Sequence, residues 1–245
     1  MRSLVILPTY DEAENVISLA REILRSSADL SVLVVDDGSP DGTGDLVAAE
    51  SLHEPRVSLI RRGRKLGLGS AYLAGFRFAL DHGFERILTM DCDFSHDPKH
   101  LPAILAMSAH RDVVIGSRYV PGGGIANWPW YRRALSSFAN AYTRTLLRLP
   151  VRDCTSGYRC YRRDVIEAVD PFDTRASGYS FLEEMVDRVH QSGFSIGEVP
   201  IVFEDRRRGA SKISEAEIFL AAWHVLGTAW RRRFGGAGGN PQRGA

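Results

Sequence analysis

The amino-acid sequence predicts an α/β protein with a mostly parallel central sheet and helices on both faces. Three observations carry that reading. Short β-branched runs alternate with segments of helical apolar spacing, the runs are apolar enough to be buried on both sides, and polar motifs follow directly on several of them. Such alternation implies right-handed crossovers between parallel neighbours. Leu4–Leu7, Val32–Val35, Val57–Ile60, Ile87–Met90 and Asp112–Ile115 read as strands. Between them, Glu12–Arg25, Thr43–Ser51, Gly69–His82 and His100–Ala109 read as helices. Beyond Arg118 the pattern loosens. Val120–Gly124 is a loop, and Trp128–Tyr131 leads into a helix reaching about Leu149. A helix around Phe181–Gln191, a strand at Ile196–Phe203 and an amphipathic helix from about Ser214 to Arg233 follow. No linker interrupts residues 1–233, which read as a single domain with halves meeting near residue 120; the Gly-rich residues 234–245 read as a disordered tail.

Composition narrows the function. A hydrophobic content of 44% over 245 residues allows a core of ordinary size. The formal net charge of +1 argues against a protein that coats nucleic acid. Basic clusters at Arg206–Arg208 and Arg231–Arg233 are local. Cys92, Cys154 and Cys160 form an odd set without CxxC spacing, which speaks for reduced thiols in a cytoplasmic setting and against a disulfide scaffold or zinc site. Met1–Ser3 runs straight into the first strand, too short for a signal peptide. No run approaches the roughly 18–20 apolar residues that a membrane-spanning helix needs. Ile218 to Trp230, broken by His224 and Gly227, has the pattern of a segment that lies on a membrane without crossing it.

The polar residues converge. Pro8–Glu12, Asp36–Ser39, Asp91–Asp93 and Gly116–Arg118 each follow a predicted strand, and open α/β sheets bind ligands outside the carboxyl ends of their strands. Asp91 and Asp93, at i and i+2 after a strand, can approach one divalent ion from the same side. Hard cations such as Mg²⁺ and Mn²⁺ take one or two carboxylates plus substrate phosphates. Asp36 and Asp37 close a hydrophobic strand and suit a ribose or base, with Tyr10 and Glu12 walling the neighbouring strand end. Gly67, Gly69 and Gly75 do not have the spacing of a dinucleotide fingerprint.

In this order, Pro8–Glu12, Val35–Ser39, Asp91–His96 and Gly116–Tyr119 resemble the motifs of family 2 glycosyltransferases of the Rossmann-like GT-A fold. Within that family, Asn127–Trp130, Arg132 with Ser136 and Asn140, Asp153–Arg159, Gly178–Tyr179, Gly197–Ile201 and Arg206–Lys212 resemble polyprenol-monophosphate (dolichol-phosphate) mannose synthases. The resemblance implies a GDP-mannose donor, a Mg²⁺ or Mn²⁺ ion, and a polyprenyl or dolichyl phosphate acceptor reached from the cytoplasmic face of a membrane. By position it implies that Pro8, Tyr10, Glu12, Val35 and Asp37 hold guanosine. Asp91 and Asp93 would ligate the metal, with Cys92 between them in the nucleotide-sugar site. Arg118, Arg206 and Lys212 would contact phosphates or the transferred sugar. Asp11 stands where the family usually has Asn, Cys92 where Ala is common, and Ser95 where some members place Gln.

The chemistry suits that resemblance. A lipid monophosphate is already ionised at neutral pH, so its oxygen needs no strong general base, whereas an alcohol acceptor does. The demand is instead to neutralise two anions that repel. Arg132 and Ser136, at i and i+4 on one helical face, form a candidate acceptor-phosphate site near a helix start. Trp128, Trp130 and Tyr131 suit either a membrane interface or a core. The last predicted helix suits a membrane surface, the sheet, or a separate membrane-anchoring subunit. Competing readings are a related enzyme using UDP-glucose or another donor, a phosphatase with Asp91 as nucleophile, and a nucleotide-sugar-binding scaffold without turnover.

Overall fold

The structure, a computed structural model, describes residues 1–174, 178, 180–204 and 225–227. The final amphipathic helix, apart from residues 225–227, and the tail expected from the sequence lie outside the described residues. The chain runs β1 (Ser3–Thr9), α1 (Val16–Ser26), β2 (Leu30–Asp36), α2 (Thr43–Ser51), β3 (Val57–Arg61), α3 (Leu68–Asp81) and β4 (Arg86–Thr89). There follow a 3₁₀ turn at Pro98–His100, α4 (Leu101–Met107), β5 (Val113–Ser117), β6 (Gly124–Ile125) and α5 (Trp130–Leu147). Then come β7 (Arg159–Arg162), α6 (Arg163–Val169), α7 (Ser180–Gln191), β8 (Ile196–Pro200) and β9 (Val202–Phe203).

Seven strands form one sheet in the order β3-β2-β1-β4-β7-β5-β8, and β6 pairs with β9 in a separate ribbon. Every pairing in the main sheet is parallel except those of β7, which lies antiparallel between β4 and β5. β1, β2, β4 and β5 therefore all end on the same rim. This is the GT-A arrangement expected from the sequence.

Strand periodicity explains why both faces are covered. Leu4, Ile6, Leu33 and Val35 point into one core with Tyr72 and Phe76 of α3 and Phe181 of α7. Val5, Leu7, Val32 and Val34 alternate into the opposite core with Val16, Leu19 and Ile23 of α1 and Leu101 of α4. Burying each such side chain contributes roughly 1.5–3 kcal/mol relative to exposure. Helix α3 lies unusually close to β1. A Cβ on Gly75 would fall 2.6–2.9 Å from three atoms of the Ile6 side chain, so only glycine permits that approach.

Some element limits differ from the sequence reading. Helix α1 begins at Val16, four residues later than expected, because Asp11 adopts φ +56° and Glu12 starts a turn. The strand expected over residues 196–203 is two strands. Ile201 leaves the sheet edge, donating its N–H to Ser117 O while its carbonyl accepts from Gly124 N. β7 and α6 were not expected at all. Among the described residues no helix is long and apolar enough to cross a membrane.

Candidate active site

The site is assembled from turns at the carboxyl ends of β4, β1, β2 and β5. After β4, the chain passes through Asp91, Cys92 and Asp93 and turns at Phe94, whose φ is +63°. Asp93 is buried, and its Oδ1 accepts from Ser95 N at 3.0 Å and Ser95 Oγ at 2.5 Å. Asp91 is more open to the cleft, its side chain 34% exposed. Its backbone N–H donates to His96 Nδ1 at 3.0 Å, which leaves the His96 proton on Nε2. Burial holds the imidazole below the ordinary histidine value, against the raising pull of Asp91 and Asp93. The ring stacks on Tyr158, with centroids 5.0 Å apart. His96 thus pins the aspartate turn from beneath.

The ends of β1 and β2 supply the neighbouring wall. Asp36 turns inward, its Oδ1 accepting from Thr9 Oγ1 at 3.0 Å and from Ser39 Oγ at 2.5 Å. Asp37 pairs with Arg62 and accepts from Leu66 N and Gly67 N, each at 3.0 Å. It thereby ties the segment after β3 to the rim. Gly38, at φ +71°, is required there because a Cβ would meet Arg62 O at 3.1 Å. That same segment puts Lys65 Nζ 4.4 Å from the centre of the Tyr10 ring. Glu12 receives Asn15 Nδ2 on its carboxylate and donates its N–H to Thr43 Oγ1. Pro8 is half-buried beside them. Val35 and Cys92 belong to the two cores. Burial of both side chains leaves their backbone atoms as the groups open to a ligand at the rim.

Beyond β5 stands a buried ion pair. Arg118 gives Nε to Asp153 Oδ2 at 2.8 Å and one terminal nitrogen to Asp153 Oδ1 and Thr155 Oγ1, both at 2.7 Å. Its backbone N–H donates to the same carboxylate at 2.9 Å. Burial alone would raise the Asp153 carboxyl; the Arg118 charge and these hydrogen bonds outweigh it and hold it below the usual carboxylate range. Arg118, expected to contact phosphate or sugar, is thus committed on one side to the turn that precedes β7. The antiparallel course of β7 is what brings residues 153–158 to the rim. Sequence periodicity gave no sign of this, because the strand reads Arg-Cys-Tyr-Arg and its first guanidinium is wholly buried. Arg159 is 0% exposed and donates to the carbonyls of Ser156, Leu182 and Cys154.

Helix α5 closes the far side. Arg132, Ser136, Asn140 and Thr143 share its inner face, as the i, i+4 spacing predicts. The Arg132 guanidinium lies 3.9 Å over the Trp128 ring, and Tyr119 Oη donates to Ser136 Oγ at 2.8 Å. Asn140 joins the helix to the 153–155 turn through Thr155 Oγ1 and Cys154 N. On the outer face Trp130, Tyr131, Leu135 and Phe138 are exposed, Trp130 to 79%. Trp128, by contrast, is half-buried, so the aromatic group divides between interior and surface. Arg206 and Lys212 lie outside the described residues.

Among the described residues no group of three or more His, Cys, Asp or Glu is arranged to hold a metal ion by itself. Asp91 and Asp93 fit instead a cation whose remaining ligands come from a substrate diphosphate, as Mg²⁺-type ions prefer. A mostly parallel sheet with a carboxylate pair at its rim and arginines beyond suits an enzyme of the nucleotide-sugar-using α/β class. The chain belongs to glycosyl transferase family 2, whose profile matches residues 4–170. It is 45% identical over 239 residues to the polyprenol monophosphomannose synthase of Mycolicibacterium smegmatis, covering 95% of this chain and 90% of that protein. With the undecaprenyl-phosphate mannosyltransferase of Micrococcus luteus it shares 42% over 228 residues, 91% and 94% of the two chains. The fold also matches a glucosyl-3-phosphoglycerate synthase from Mycobacterium tuberculosis, solved with Mn²⁺, UDP and phosphoglyceric acid. There the TM-score is 0.66 at 16% identity, over 95% of this chain and 78% of that one. A mannosyltransferase from Pyrobaculum calidifontis, solved with GDP-Man and Mn²⁺, gives 0.56 at 20% identity over 98% and 76%. The chain is therefore a hexosyltransferase of the GT-A fold.

Proposed function

We propose that the protein transfers mannose from GDP-mannose to a polyprenyl monophosphate, giving polyprenyl-phosphate mannose and GDP with inversion at the anomeric carbon. The observation that carries this reading is the Asp91–Asp93 turn, held by His96 and Ser95 on a rim that also carries the ends of β1 and β2 and faces an arginine-bearing helix. The two similar mannosyltransferases named above support the sugar and the lipid phosphate. The P. calidifontis enzyme, solved with GDP-Man and Mn²⁺, agrees with a guanosine donor and a divalent ion.

In this reading Tyr10, Glu12 and the Asp37-tethered segment receive guanosine, and Pro8 packs beside it. Asp91 and Asp93 hold the divalent ion, which when bound supplies Lewis-acid stabilisation of the leaving diphosphate. Arg132, seated on Trp128, and Ser136 orient the acceptor phosphate. An oxygen of that phosphate attacks the anomeric carbon while the bond from that carbon to the β-phosphate oxygen breaks, and GDP leaves with the electron pair. No proton has to be removed from the acceptor. Arg118 keeps the 153–155 turn in place and adds positive charge beside the two anions. Arg206 and Lys212 are assigned to the diphosphate and sugar on the resemblance alone. The enzyme works at the cytoplasmic surface of a membrane, held peripherally by the exposed aromatic face of α5 or by a separate anchoring subunit.

The test is to incubate the purified chain with GDP-mannose, UDP-glucose and other nucleotide sugars, a polyprenyl phosphate, and Mg²⁺ or Mn²⁺, and to identify the glycolipid by mass. Mannosyl lipid from GDP-mannose is expected. Asp91→Asn and Asp93→Asn are each expected to lower kcat by at least ~10²-fold, the scale of losing a main electrostatic stabiliser. Glucosyl lipid from UDP-glucose, or full turnover in both variants, would overturn the assignment.

A further inference from the structure

Phe203 stands at a junction of three parts of the site. Its ring meets His96 edge-on at 5.5 Å, Trp128 edge-on at 5.4 Å and the Arg118 guanidinium at 5.5 Å. His96 supports the Asp91 turn, Arg118 holds the turn before β7, and Trp128 carries Arg132. The backbone beneath this ring is well anchored. Phe203 O accepts from Ala126 N at 2.9 Å, Val202 N donates to His100 Nε2 at 3.4 Å, and β9 pairs with β6 two residues before Asn127.

Trp128 is held differently. Its indole N–H is buried and makes no hydrogen bond among the described residues. Ring packing, not hydrogen bonding, therefore sets the plane of the indole, and a guanidinium stacked on that face follows the plane. Edge-on aromatic pairs and cations over rings are modest in energy but demanding in geometry. Among the described residues, the Phe203 ring contacts both Trp128 and His96, the support of the Asp91 turn.

We propose that Phe203 is a positioning residue for the acceptor. It fixes the Trp128 platform so that Arg132 faces the acceptor phosphate, in register with the Asp91 turn that His96 supports. This rests on the acceptor role given above to Arg132. Displacing a reacting group by about 1 Å can cost on the order of 10²-fold in rate, so a loosened platform should be visible in kinetics.

The experiment uses the full chain with GDP-mannose, Mn²⁺ and a short-chain polyprenyl phosphate. Phe203→Leu keeps an apolar side chain without the ring, and Phe203→Tyr keeps the ring. Phe203→Leu is expected to raise the acceptor KM by ~10-fold or more, with GDP affinity and donor KM within ~2-fold of the parent. Phe203→Tyr should restore the parent value. In an Arg132→Ala background, Phe203→Leu should add less than ~2-fold, because both changes remove one interaction. Unchanged acceptor KM in Phe203→Leu, equal losses for donor and acceptor, or full additivity with Arg132→Ala would each overturn the inference. Arg132→Ala alone leaving the acceptor KM unaltered would overturn the acceptor-site reading first, a result visible without any Phe203 variant.

Discussion

Asp153 shows how much a single buried carboxylate can organise. It receives both the backbone N–H and the guanidinium of Arg118 across 35 residues of sequence, and Ser156 N as well. Removing one partner of such a pair leaves a buried charge uncompensated, which costs about 3–5 kcal/mol. Asp153→Ala is therefore expected to lower the unfolding free energy by about that amount, measured by urea denaturation. The pH dependence follows from the depressed folded pKa. The stability from this carboxylate is fully present above the ordinary unfolded value near ~4 and is lost as pH falls through the lower folded value. Acid titration of the parent should show that loss and Asp153→Asn should lack it. At this scale the sequence was uneven. The pairing of Asp91 and Asp93 on one turn was legible because it is local, two carboxylates two residues apart after a strand. The clasp between Arg118 and Asp153 was not, since no spacing rule links residues so far apart. The support given by His96 was not legible for a third reason: it lies in an acceptor nitrogen aimed back at a backbone N–H, which composition does not encode.

At the scale of elements, strands were read well where apolar runs were continuous and poorly where they were not. β1, β2 and β5 are buried throughout their central residues, and their alternation into two cores is the signature that the sequence carried. β7 escaped because a strand flanked by arginines looks like surface, although Arg159 satisfies its donors on carbonyls within the fold. The closeness of α3 to β1 gives an element-scale prediction. Replacing an exposed helical glycine by alanine gains about 1 kcal/mol. At Gly75 the new methyl would press on Ile6, and overpacking costs about 1–3 kcal/mol. The clash should win, so Gly75→Ala is expected to lower the thermal midpoint. A rise in midpoint would mean that α3 moves away from the sheet without cost.

At the scale of the whole molecule, the outer face of α5 gathers four exposed large apolar side chains among the described residues. Trp130, Tyr131, Leu135 and Phe138 are exposed apolar side chains of that helix, while Arg132 and Ser136 are partly buried. If the lipid acceptor is met at a bilayer, that outer face is the surface to meet it. Phe138→Glu is then expected to reduce sedimentation with liposomes several-fold while leaving kinetics on a short, soluble polyprenyl phosphate unchanged. Equal sedimentation of both proteins would assign membrane attachment elsewhere. The mostly parallel central sheet was legible at this scale, and so was the common rim, since parallel strands must end on one side. What composition could not convey is how the two expected halves share that sheet.

That sharing bears on how the molecule comes into being. β4 and β5 belong to the first 120 residues, yet they are not neighbours; β7 is inserted between them. As a ribosome delivers the chain, both strands must wait with open hydrogen-bonding edges until residue 162 has emerged. The first half alone would leave a strand-wide gap in its own sheet, so neither half can close that sheet without the other.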